Sequence, residues 1–141
     1  IDVPGATGYV ETNYAGKGAA AVRALDDHDI VCVHVEAPDE AGHNAQVRAK
    51  VHAIEQIDRY VVGPVLQRLQ AEGEDWRILV LPDHPTPCTT RKHAPEPVPF
   101  AMAGKRVLAA VGTSFDEAAA AASDLHIRVG PELMEYFLTV R

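Results

Sequence analysis

Ile30-Val31-Cys32-Val33-His34-Val35-Glu36-Ala37-Pro38-Asp39-Glu40-Ala41-Gly42-His43 is the stretch from which the architecture of this 141-residue chain can be read. Its first six residues are almost continuously apolar and mostly β-branched, bounded by Asp29 on one side and Pro38 on the other. A run of that kind, too short for a helix, is expected of a strand covered on both faces, as in a parallel sheet. A helical turn after Pro38 then puts Asp39 and His43 on one face, ~5–6 Å apart and close enough to share a cation. Alone this signal is weak, because Asp39 could equally cap a helix and His43 could be a solvated imidazole.

The same layout recurs downstream. Arg77-Ile78-Leu79-Val80-Leu81 reads as a second buried strand, stopped by Pro82 and followed by Asp83-His84-Pro85-Thr86-Pro87 and, in a basic loop, His93. Between the two runs, Val47, Val51, Ile54, Ile57, Val61, Val65 and Leu69 recur at helical spacing, predicting one long helix from about Ala45 to Ala71 with a kink at Gly63-Pro64. Strand, helix and strand in that order predict a right-handed crossover between parallel strands. Both polar clusters then fall beyond the carboxyl ends of strands, where open parallel sheets bind their ligands. Neighbours in an extended chain face opposite ways, so Asp83 and His84 suit two ions, or one ion and a substrate, better than one; the plain alternative is a polar turn. Taken jointly, Asp39, His43, Asp83, His84 and His93 point to a metal site, since carboxylates neutralise a cation and imidazoles give it directional nitrogen ligands.

The remaining elements are less marked. Residues 1–12 are rich in Gly and Pro and read as a crossover loop, and Asn13 caps an Ala-rich amphipathic helix to about Asp27. Val98 to Ala103 is expected as a short edge strand, a helix runs from Ser114 or Phe115 to about Ala122, Ile127 to Val129 forms a strand, and Pro131 opens a last helix through Leu138. His28, His52 and His126 read as surface residues, His34 as a core imidazole, Arg91 and Lys92 as a solvated pair or, alternatively, as charge offered to a phosphate, and Ser114 and Ser123 as capping or packing groups.

Bulk properties narrow the class. One domain at most is expected, and 47% hydrophobic residues allow a core of its own. A formal charge of -7 without a basic stripe argues against nucleic-acid binding. No apolar run approaches the ~20 residues of a membrane span, and two cysteines, Cys32 and Cys88, form no disulfide framework and suit the cytoplasm. Ile1-Asp2-Val3-Pro4-Gly5 reads like the interior of a longer protein.

The motif Val33-His34-Val35-Glu36-Ala37-Pro38-Asp39-Glu40-Ala41-Gly42-His43 resembles the cofactor-independent phosphoglycerate mutases of the alkaline phosphatase superfamily, in the branch first described in archaea and also present in many bacteria. Pro4-Gly5-Ala6-Thr7-Gly8-Tyr9, Thr12-Asn13-Tyr14 with Lys17, Asp83-His84-Pro85-Thr86-Pro87, and His93 followed by Pro97-Val98-Pro99-Phe100 extend the likeness over nearly the whole chain. The resemblance implies a two-metal site: Asp39, His43 and His93 on one divalent cation, Asp83 and His84 on the second. Manganese is the first choice, with magnesium, zinc or cobalt as alternatives. It implies phosphoryl transfer between 3-phosphoglycerate and 2-phosphoglycerate, in glycolysis and gluconeogenesis, through a phosphoserine. The nucleophilic Ser and a further Asp would come from an amino-terminal part, and the substrate-gripping arginines from a second domain, neither of which has a match here.

The expectation is therefore an incomplete α/β fold of the alkaline-phosphatase type, a mostly parallel sheet flanked by helices. Residues 1–141 form the carboxy-terminal part of the metal-binding domain, and 1–12 mark the return from the substrate domain. The two ligand groups should converge on points ~3.5–4 Å apart. No catalytic nucleophile is assigned, the chain alone is expected to be inactive, and an uncovered apolar face is expected to pair two copies as a homodimer. The alternatives are another phosphatase or phosphotransferase of the superfamily, or a non-catalytic metal-binding module.

Overall fold

A thin core of small side chains organises the protein, for which a computed structural model describes residues 1–108 and 114–139. Helix α1 (Tyr14–Ala24) begins where the Asn13 side chain accepts a hydrogen bond from the Gly16 N–H at 2.8 Å; the same side chain donates to the Pro4 carbonyl at 2.9 Å and ties down the leading loop. α2 (Ala37–His43) follows the extended run at 30–35, with Pro38 in its first turn supplying a preset φ. The predicted long helix is present in three parts: α3 (Val47–Ile57), a π-helical turn at Asp58–Val62, and α4 (Gly63–Ala71). Its irregularity thus lies ahead of the predicted Gly63-Pro64 kink. Pro64 has no N–H to return to the Tyr60 carbonyl, and the wider turn, in which the Gly63 N–H bonds to Asp58, takes up the misfit.

α1 crosses this turn and the start of α4. The approach is close because Gly18 has no Cβ; one built there would run into the Tyr60 carbonyl oxygen. Tyr14, Ala37 and Ala53 form the centre of the core, with Val35, Ile57 and Tyr60 packed around them. Among the described residues no large side chain is fully buried, and Ile30, Val47, Val51, Ile54 and Leu81 stay half exposed, so the core is thinner than the composition led us to expect.

The sheet among the described residues has two strands, β1 (Arg77–Val80) and β2 (Ala101–Gly104), paired antiparallel with Arg77 opposite Gly104 and Val80 opposite Ala101. β1 lies within the predicted strand, and β2 overlaps the predicted Val98 to Ala103 and runs one residue past it. The parallel crossover is corrected: residues 30–35 are extended but have no ladder partner among the described residues. Nor are they covered on both faces. Val31, Val33 and Val35 are half-buried while Ile30, Cys32 and His34 are exposed, the period-2 pattern of a segment resting one face on helices. His34 is accordingly a surface imidazole beside Glu36, its Nε2 3.3 Å from the carboxylate, and not a core residue.

Beyond residues 109–113, where nothing is described, α5 (Glu117–Ala121) is capped by Asp116 and α6 (Glu132–Thr139) closes the described chain. Ile127 to Val129 is not a strand: no backbone pairs with it among the described residues, and Val129 and Gly130 instead turn the chain into α6. The result is the incomplete α/β fold that the sequence implied. No helix among the described residues is long and apolar enough to cross a membrane.

Candidate metal centre

Two short segments build the site. In α2, Asp39 and His43 stand one helical turn apart on the same face, with His43 Nε2 3.2 Å from Asp39 Oδ2. Facing them is the loop after β1, which bends at Asp83-His84 and turns tightly from Pro87 to Arg91. The Ala94 N–H then bonds back to the Pro85 carbonyl at 3.0 Å, which returns His93 beside His84 with ring centroids 3.8 Å apart. Gly42 lets helix and loop meet, since a Cβ at that position would collide with the Thr86 carbonyl oxygen.

Three donors converge where the segments touch. His43 Nε2 lies 3.1 Å from His93 Nε2, and His93 Nε2 lies 3.4 Å from Asp39 Oδ1. Separations of 3.1–3.4 Å among two imidazole nitrogens and a carboxylate fit a cation bonded to each at ~2.0–2.2 Å, and the donor types are those a divalent transition metal takes. Asp39, His43 and His93 are thus brought together as one group of donors that could hold a metal ion.

Asp83 and His84 adjoin this set through the His84–His93 ring contact. The bend turns both toward one side, so His84 Nε2 is 3.5 Å from Asp83 Oδ2, in place of the opposed directions of a straight strand. Asp83 is exposed and His84 half-buried against His93. The pair therefore offers two more donors next to the first three.

The neighbours of these side chains decide their chemistry. Burial pushes the Asp39 carboxyl up, but a hydrogen bond from the Thr86 hydroxyl and the charges of His43, His93 and His84 outweigh it and hold the group below the ordinary carboxylate range. The Thr86 Oγ1 to Asp39 Oδ1 distance is 2.5 Å. His43 Nδ1 is 2.9 Å from the Arg91 carbonyl, an acceptor only, so Nδ1 donates there and Nε2 is the nitrogen turned to Asp39 and His93. Arg91 reaches that position with a left-handed φ of 56°. Thr86 and the Arg91 carbonyl were not read as site groups. The only hint of them is the pair of prolines flanking Thr86, which stiffens its backbone.

Comparison with known proteins places the chain in a family of metalloenzymes. Residues 1–140 match a family model described as the Metalloenzyme superfamily. A Methanothrix thermoacetophila protein named 2,3-bisphosphoglycerate-independent phosphoglycerate mutase is 49% identical over 138 residues, covering 98% of this chain and 35% of that protein. A Methanothermobacter thermautotrophicus protein named 2,3-bisphosphoglycerate-independent phosphoglycerate mutase 2 is 52% identical over 117 residues, 83% of this chain and 29% of its own length. A solved structure of a Pyrococcus horikoshii protein superposes with a TM-score of 0.82 at 34% identity, covering 88% of this chain and 37% of that one. The chain thus spans roughly a third of the length of the proteins it matches.

Proposed function

Because the chain belongs to the Metalloenzyme superfamily, we propose that it is the metal-holding part of a cofactor-independent phosphoglycerate mutase, a cytoplasmic enzyme that interconverts 3- and 2-phosphoglycerate. The names carried by its relatives support this reading. The observation that carries it is the set formed by Asp39, His43 and His93, with donor atoms 3.1–3.4 Å apart. A divalent cation, manganese by preference, supplies the positive charge that neutralises a phosphoryl group in transfer. Asp39, held below the ordinary carboxylate range with Thr86 donating to it, would offset that charge and fix the cation's position. His43, locked by the Arg91 carbonyl, would add a nitrogen ligand from the same helix, and His93, returned by the closed loop, one from the other segment. Asp83 and His84 would hold the second ion, beside the first set.

In this reading the 141 residues provide ligands and not the nucleophile. Calorimetric titration of the purified chain with Mn²⁺ tests it: the chain should bind, and His43→Gln and Asp39→Asn should abolish binding at the first set. Absence of divalent-cation binding by the folded wild-type chain would overturn the reading. A coupled mutase assay on the same chain should give no turnover even with manganese present, because ligands without a nucleophile leave only residual electrostatic effects.

A further inference from the structure

We propose that Thr86 is a positioning residue that joins the two ligand groups through its hydroxyl and sets the tautomer of His84. The inference rests on the metal-binding reading above. Thr86 Oγ1 lies between Asp39 Oδ1, at 2.5 Å, and His84 Nδ1, at 3.3 Å. A hydroxyl has a single proton to give and two lone pairs to accept with. The ionised Asp39 carboxylate can only accept, and an O–H···O⁻ bond of this length is the charge-assisted kind, so the proton goes there. Toward His84 the hydroxyl is left as an acceptor, which requires the proton on Nδ1. His84 Nε2, 3.5 Å from Asp83 Oδ2, then carries the lone pair and is the nitrogen that would bind a cation beside that carboxylate. The Arg91 carbonyl likewise takes the Nδ1 proton of His43, so two of the three imidazoles are held through Nδ1 with Nε2 turned to the site.

The hydroxyl is held in place by its surroundings. Thr86 is 3% exposed, and as a β-branched residue it has a stiff χ1. Pro85 and Pro87 restrict the backbone on either side of it. Its carbonyl accepts from Lys50 Nζ of α3 at 2.7 Å, and the missing Cβ of Gly42 lets α2 close against that same carbonyl. Four elements of local structure thus converge on one side chain that ligates nothing itself. Its role is to couple the carboxylate of one ligand group to the imidazole of the other.

The test uses the ¹⁵N-labelled 141-residue chain without metal at about pH 8, above the ordinary range of a free imidazole, and long-range ¹H–¹⁵N correlations, with His84 identified by the signal missing in His84→Gln. Wild type and Thr86→Ser should show His84 protonated at Nδ1, and Thr86→Val should shift it toward the Nε2-protonated form. Zn²⁺ titrated by calorimetry should bind Thr86→Val ~10–100-fold more weakly than wild type, the usual effect of losing a group that orients a ligand, with Thr86→Ser close to wild type. His84 found protonated at Nε2 in the wild type overturns the proposal without any variant. So does an unchanged tautomer and affinity in Thr86→Val, or a Thr86→Ser that fails equally and so assigns the effect to the methyl group. If the wild-type chain binds no divalent cation, the metal reading falls, while the tautomer still decides what Thr86 does.

Discussion

Asp39 is, among the described residues, the one half-buried carboxylate whose surroundings favour its charge from two directions, a hydroxyl on one oxygen and imidazoles on both. Its folded pKa lies below the value of ~3.9 it has in an unfolded chain. A depressed carboxylate stabilises the fold fully above the unfolded value and loses that contribution as the pH falls through the lower, folded one. Urea midpoints of wild type should therefore drop on acidification below about pH 4, and Asp39→Asn should flatten that part of the profile; equal slopes for both proteins would contradict it. The i,i+4 spacing made Asp39 and His43 legible in the sequence, and the expected strand ends drew attention to His93. Thr86 was not legible. Nothing in Pro85-Thr86-Pro87 says which way a hydroxyl points until α2 is docked on the loop.

Two predictions belong to the elements. Asn13 both caps α1 and holds the Pro4 carbonyl, so Asn13→Ala should cost about 1 kcal/mol or more in chemical denaturation. Gly18→Ala would ordinarily gain ~0.5–1 kcal/mol of helix propensity. Here the new methyl meets the Tyr60 backbone oxygen, which no rotamer can move, so a net loss on the order of 1–3 kcal/mol is expected. A stabilised variant would mean that α1 can back away from the π turn. The helices were readable because an apolar stripe at period 3.6 belongs to the helix itself. Strand pairing was not, since a ladder depends on a partner elsewhere in the chain. Arg77 to Leu81 reads as a strand whichever way its neighbour runs, and that neighbour, Ala101–Gly104, runs antiparallel. The exposure of Ile30, Cys32 and His34 was hidden for the same reason: apolar composition does not say whether a second layer arrives.

At the scale of the molecule the apolar surface exceeds what the core takes up. Val47, Val51 and Ile54 recur at i, i+4 and i+7 along α3, each at least half exposed. That stripe is the surface on which we expect two copies to pair about a two-fold axis. Light scattering of the purified chain should give a dimer that Val51→Glu dissociates, and a monomer at high concentration would contradict the pairing. The same helical unit carries a second constraint. A π turn holds one residue more than the α-helix would need over the same span, so α4 leaves Val62 rotated by about 100° from the course set by α3. Val61, buried within the turn, and Leu69, buried in α4, face inward only with that extra residue in place. A single deletion anywhere from Asp58 to Val62 would let the helix run straight, and would swing Leu69 away from the core along with every other side chain of α4. The segment therefore keeps count of its residues: substitutions here should be tolerated one position at a time, while any change of length should be felt through the whole of the helix that follows.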